Sequence, residues 1–316
     1  MHLRNHLSPR SWRMFLLPAL VAALVAALVA CGGGGSSTAG TMAPAYPSGA
    51  GAITVTGAEN FYADVLHQVG GSRLKVYSFL TDPNADPHEY ESNASGAKAV
   101  ADSKLVIENG LGYDAFMDKL LEASPRQDRV VINVQRLIGA PDGSNPHIWY
   151  DPTVMPRVAQ AVAGALARLD PSNAARYESG LAAFHAAFAP VTDEVAQLKQ
   201  NVAGTPVAFT EPVFGYMADA VGLVVKSPPE FMHAVEEGND PPAAATAREE
   251  DLITKHQVKL LFYNSQTVTK VTARVKQLAV SNRVPVVGVS ETEPPGTTFQ
   301  EWQLSTLRQT GDALAT

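Results

Sequence analysis

From residue 53 onward, short runs rich in β-branched residues alternate with stretches whose apolar residues recur every three to four positions. The runs at 53–56, 74–79, 104–107 and 129–134 predict four strands. Those at 206–209, 223–226, 258–263 and 284–289 predict four more. Between the first two runs, residues 61–69 predict a helix with Asn60 as N-cap and Gly70-Gly71 as its stop. Residues 113–123 predict another. Strands alternating with helices imply a mostly parallel sheet with helices on both faces.

The two sets of strands are separated by a helical region, 153–202, in which Asp170-Pro171 and Pro190 are expected to act as breaks. From 172 onward, Tyr177, Leu181, Phe184, Phe188, Val191, Val195 and Leu198 keep one face apolar along its whole length. A free linker needs no such face. The expectation is an α/β protein of two Rossmann-like lobes, each with a mostly parallel four-stranded sheet. One long connecting helix joins them, with boundaries at 53–170 for the N-terminal lobe, 171–203 for the helix and 204–316 for the C-terminal lobe.

The first 52 residues follow another rule. Arg4, Arg10 and Arg13 precede an almost wholly apolar stretch, 14–30, which is the layout of a secretory signal. No later stretch is apolar and long enough to span a bilayer. The segment ends in Leu28-Val29-Ala30-Cys31 followed by four glycines, which resembles a bacterial lipobox. Residues 1–30 are then a removed signal peptide, and Cys31 becomes the acylated N-terminus that anchors the protein in the membrane. The alternative, an ordinary signal beside a buried cysteine, is disfavoured because Ala30 and Gly32–Gly35 give Cys31 no core to enter. Each buried methylene adds about 0.8 kcal/mol of membrane affinity, so several acyl chains would hold firmly. Residues 31–52, dominated by Gly, Ser, Ala, Pro and Thr, form a flexible tether reaching about 25 Å.

Cys31 is the only cysteine, so packing rather than a disulfide must hold the exported fold. Loss of the three leader arginines takes the net charge from −7 to −10. That charge favours solubility and mildly favours the approach of cations. With no basic run and no aromatic-basic interleaving, nucleic-acid binding is not expected.

The chemistry concentrates in two short segments, Asp86-Pro87-His88 and Asn145-Pro146-His147-Ile148-Trp149-Tyr150-Asp151-Pro152. Each places an imidazole directly after a proline, in a loop that follows a predicted strand. Proline fixes its own φ and pushes the preceding residue toward extended geometry, so both imidazoles start from stiff backbone. One such histidine would serve as readily in a turn; two in equivalent positions point to metal ligands. Ligands of open α/β sheets bind outside the carboxyl ends of the strands. Glu211 follows the first strand of the second lobe directly, and Glu291 follows its last. Two imidazoles from one lobe and two carboxylates from the other would meet in the cleft, a donor set suited to a divalent first-row ion. Either glutamate could instead be a solvated loop acid, and Glu293, two residues on, could take the place of Glu291. His67, His185, His233 and His256 fall in or near helical patterns and are expected to be surface or packing residues.

These segments, with Asn109-Gly110-Leu111-Gly112-Tyr113, Glu211-Pro212-Val213-Phe214-Gly215-Tyr216 and Val221-Gly222-Leu223, resemble the zinc- and manganese-uptake solute-binding lipoproteins of bacterial ABC transporters. The resemblance covers about residues 53 to 310. It implies a two-lobed fold with a rigid connecting helix and one metal ion held between the lobes. It further implies a monomer that captures the ion outside the cell and delivers it to a membrane permease. The family's two histidine ligands fall on His88 and His147. Its third ligand, histidine in many zinc members and glutamate in many manganese members, falls on Glu211. Its last, usually aspartate, falls on Glu291.

Two imidazoles and two carboxylates accept zinc tetrahedrally, or manganese or iron where a carboxylate binds through both oxygens. No histidine-rich loop lies between 109 and 146, which leans toward manganese, whereas intrinsic affinity leans toward zinc. Zn2+ and Mn2+ both stand as cargo. Two other functions use the same donors: a metal-dependent hydrolase with an open position for water, and a lipid-anchored adhesin with a structural metal. The chain lacks HExxH, a phosphate-binding GxxxxGK[ST] loop and a nucleophile motif, which argues against an enzyme.

Overall fold

The computed structural model describes residues 45–81 and 93–315. The expected signal peptide, Cys31 and His88 therefore lie outside the described residues. Within these, no helix is long and apolar enough to cross a membrane.

Among the described residues, eight strands form two sheets. The first contains β1 (Ile53–Glu59), β2 (Leu74–Leu80), β3 (Leu105–Glu108) and β4 (Val130–Asn133), in the order β2-β1-β3-β4. The second contains β5 (Pro206–Phe209), β6 (Val224–Val225), β7 (Leu261–Asn264) and β8 (Val286–Val289), in the order β6-β5-β7-β8. Every pairing is parallel. The winding of the first sheet is thus repeated in the second. In each, strand order reverses beside the first strand, between β1 and β3 and between β5 and β7. A crevice opens outside the carboxyl ends of the strands at such a point. The fold is α/β with two lobes, as the alternation of patterns predicts.

The lobes are joined by a helix of 29 residues, Ala174–Val202. Tyr177, Phe184, Phe188, Val191 and Leu198 are buried along it, and Leu181 and Val195 pack at the edge of the same core. Helices Asn60–Gly70, Val154–Leu169 and Phe299–Leu314 pack against it. Phe188 stacks on Phe299 with ring centroids 6.3 Å apart. Full burial of one such side chain contributes about 1.5–3 kcal/mol, so this face fixes the connection as part of the core.

One expected break occurs and the other does not. Asp170, before Pro171, has φ −140° and ψ 71° and ends the helix Val154–Leu169. Pro190, in contrast, lies inside the long helix, which continues through it. Pro190 and the residues one turn before it are exposed, so the carbonyl deprived of its N–H partner faces water.

A second correction concerns Asn60. The N-cap of helix Asn60–Gly70 is Glu59, in extended conformation and without a side-chain cap bond. Asn60 is the first helical residue, and its amide is engaged elsewhere. Its Nδ2 donates to the backbone O of Glu293 at 2.7 Å, and its Oδ1 accepts from the backbone N–H of Glu293 at 2.9 Å.

Candidate metal centre

His147 sits in the loop after β4 and the short helix Val134–Ile138. The three residues that follow it, Ile148, Trp149 and Tyr150, are all buried and pin the loop from behind. Trp149 stacks on Phe61 with centroids 4.7 Å apart. Tyr150 Oη donates to the carbonyl of Ser290 at 2.7 Å, reaching across to the other lobe.

The protonation of His147 follows from its neighbours. Asn145 Nδ2 donates to the carbonyl of Pro212 at 2.7 Å, which turns Asn145 Oδ1 toward the imidazole. That oxygen accepts from the backbone N–H of His147 at 3.0 Å and lies 2.7 Å from its Nδ1. An amide oxygen only accepts, so Nδ1 carries a proton, and in the neutral ring Nε2 then presents a lone pair. This is the tautomer that a metal ligand needs, fixed by an outer partner.

Nε2 lies 3.3 Å from Glu291 Oε2, and both side chains are fully buried. Tyr113 Oη donates to the same Oε2 at 3.1 Å. A lone pair and a carboxylate oxygen facing one another are joined favourably by a shared cation, a proton or a metal ion.

The loop after β8 that carries Glu291 is held by Gln266, whose Oε1 accepts from the N–H groups of Glu291 at 2.5 Å and Thr292 at 3.1 Å. Asn264, at the end of β7, joins the two acids: its Nδ2 donates to Glu291 Oε1 at 2.7 Å and to Glu211 Oε2 at 3.0 Å. Glu211, two residues after β5, is 2% exposed. The three predicted donors within the described residues therefore converge, but not equally. His147 and Glu291 meet directly, and Glu211 is one amide away. Among the described residues no group of three or more His, Cys, Asp and Glu is arranged to hold a metal ion by itself.

Glu293 does not share this position. Its backbone is tied to Asn60, and burial together with the nearby Asp64 pushes its carboxyl up to about 10. The N-terminal lobe contributes further buried acids at its strand ends. Glu59, ending β1, is fully buried, and desolvation with the charge of Asp114 pushes it well above the usual carboxylate range. Burial raises Asp114 to about 7 against the N–H groups of Asn109 and Gly110, which donate to it at 2.6 and 2.9 Å.

Four supporting residues carry no expected role in the sequence reading: Asn145, Asn264, Gln266 and Tyr113. Asn145 and Tyr113 stand within the quoted motifs. Asn264 obeys the same strand-end rule as Glu211, and an amide there is the available signal. Gln266 has no signal, because its role depends on the path of a loop 25 residues further on.

Residues 55–313 match the family model described as zinc-uptake complex component A, periplasmic. The manganese-binding lipoprotein MntA of Halalkalibacterium halodurans is 30% identical over 126 residues, which are 38% of this chain and 41% of that one. The manganese ABC transporter substrate-binding lipoprotein PsaA of Streptococcus pneumoniae is 26% identical over 223 residues, 65% of this chain and 68% of that one. The chain thus spans about two fifths of the first relative and two thirds of the second. Among solved structures, the periplasmic zinc-binding protein TroA of Treponema pallidum superposes with a TM-score of 0.72 at 19% identity, covering 84% of this chain and 100% of that one. That likeness concerns the fold. The match of the family model across both lobes makes this chain a member of the family of periplasmic zinc-uptake complex component A.

Proposed function

We propose that the protein captures a divalent transition-metal ion, Zn2+ or Mn2+, in the cleft between its lobes and delivers it to an ABC-transporter permease. The observation that carries this reading is the buried meeting of His147 Nε2 with Glu291 Oε2 across the cleft. His147, Glu211 and Glu291 supply three donors, and His88 of the first Pro-His loop supplies the fourth. Imidazole nitrogen with carboxylate oxygen suits either ion. PsaA and MntA are named for manganese and the family model for zinc, which supports cargo of this class without choosing between the two.

The ion is cargo, and no residue is assigned a catalytic role. Neither the family nor these relatives are named for hydrolysis, so the hydrolase reading has no support from them. Acylated Cys31 anchors the chain through the segment 31–52, expected as a free tether but docked on the first lobe from Ala45 to Gly49, where Tyr46 stacks on His67. Lobes 53–170 and 204–316 lie about the connecting segment 171–203, in a monomer facing the periplasm or the cell exterior.

The test is elemental analysis of protein purified without chelator, followed by competition between Zn2+ and Mn2+. One tightly held ion per chain, lost in His147→Ala, is expected. Binding unchanged in that variant would overturn the site.

A further inference from the structure

The buried pair has an outer neighbour. Helix Pro229–Glu236 of the second lobe carries His233 and Glu236 three residues apart, hence on one face. His233 Nδ1 lies 3.3 Å from Glu236 Oε2. The His233 side chain is 62% exposed and that of Glu236 only 10%. The other carboxylate oxygen, Glu236 Oε1, is buried without a hydrogen bond and lies 3.7 Å from His147 Nδ1. One carboxylate thus touches an exposed imidazole on one side and the buried ligand imidazole on the other. Beside it a recess of about 580 Å³ is lined from both lobes, by Gly112, Tyr113, Asn145 and Pro146 and by His233 and Glu236.

We infer that His233 and Glu236 form an outer station for the divalent ion at the mouth of the cleft, where it is first held before reaching the buried site. The inference rests on the metal-capture reading above. Imidazole nitrogen and carboxylate oxygen are the donor types of the inner site. Two protein donors leave most of the coordination sphere to water, so the ion is held weakly and exchanges readily. That is what a relay requires, because an ion bound for fully buried donors must shed its hydration shell in steps. The negative charge of Glu236, largely screened from water, concentrates cations at this mouth.

The experiment uses the mature protein with Zn2+ and Mn2+ as probes. Stopped-flow mixing with Zn2+ is expected to show association about tenfold slower in His233→Ala than in wild type. Dissociation should slow in parallel, leaving Kd within about twofold. In protein already loaded with Zn2+, added Mn2+ should broaden the imidazole resonances of His233 selectively over those of exposed His185 and His256. Unchanged association rates in His233→Ala, or equal broadening at all three histidines, would overturn the station. A wild-type protein that takes up no Zn2+ or Mn2+ would instead overturn the capture reading itself.

Discussion

His147 Nε2 and Glu291 Oε2 lie 3.3 Å apart although 144 positions separate them in the chain. One lies in a loop after the last strand of the first sheet and the other in the loop after the last strand of the second, so a cation held between them would be bound by both lobes at once. A ligand that binds only the folded state stabilises it by about 2.7 kcal/mol at a hundred times its Kd. Added Zn2+ is therefore expected to raise the melting temperature of wild type and to leave Glu291→Gln nearly unmoved. Calorimetric scans with and without metal decide this, and an equal rise in both proteins would remove Glu291 from the site.

Asn145 sets the tautomer of His147 because its own amide is oriented by the carbonyl of Pro212 across the cleft. Asn145→Ala removes the acceptor at 2.7 Å from Nδ1 and leaves Glu236 Oε1 at 3.7 Å, so the imidazole is freer to place its proton on Nε2. Outer partners of ligating histidines are worth about 10–100-fold in metal affinity. A loss of that size is expected in chelator-competition titrations, with the fold intact by circular dichroism. Nitrogen NMR of the metal-free wild type should show the proton on Nδ1, and finding it on Nε2 would refute the assignment.

Much of this was legible from residue order. Strand-helix alternation identified eight strands, and the strand-end rule selected His147, Glu211 and Glu291 for the cleft. What was not legible depends on where side chains go after the backbone has folded. Asn60 has the composition of an N-cap, but its amide is satisfied by the backbone of Glu293, 233 positions away. Pro190 has the chemistry of a helix break, but its exposed position lets water replace the missing bond. Asn264 is no anionic donor, so a search for charged ligands passes over it, although its Nδ2 holds both acids. Glu291 and Glu293 are equivalent by position, and only the loop held by Gln266 and Asn60 distinguishes them.

The seating of the long helix makes a separate demand. A Cβ added to Gly180 would lie 2.2 Å from the carbonyl oxygen of Val69, which is backbone and cannot turn aside. Gly180→Ala must therefore push helices Asn60–Gly70 and Ala174–Val202 apart, although alanine is the better helix former. Overpacking of this kind costs about 1–3 kcal/mol. Urea unfolding should show an unfolding free energy lower by that amount, read as a lower midpoint at unchanged slope, whereas a gain in stability would mean that the two helices are not in contact here.

One part of the pH dependence of stability comes from Glu249, fully buried on helix Ala243–Thr254 in the core of the second lobe and far in sequence from the proposed metal donors. Burial pushes its carboxyl up to about 8 from an ordinary 4.5. The folded protein therefore keeps this proton over a range in which the unfolded chain has lost it. With the native state binding more protons, the share of stability due to Glu249 falls as pH rises from about 4.5 to about 8, and that share is fully lost above this window. Glu249→Gln carries no such charge and keeps the volume. Its melting temperature at pH 8 should exceed that of wild type, and the difference should close toward pH 5. A variant that is less stable than wild type at pH 8 would show that the folded protein holds Glu249 as a satisfied carboxylate.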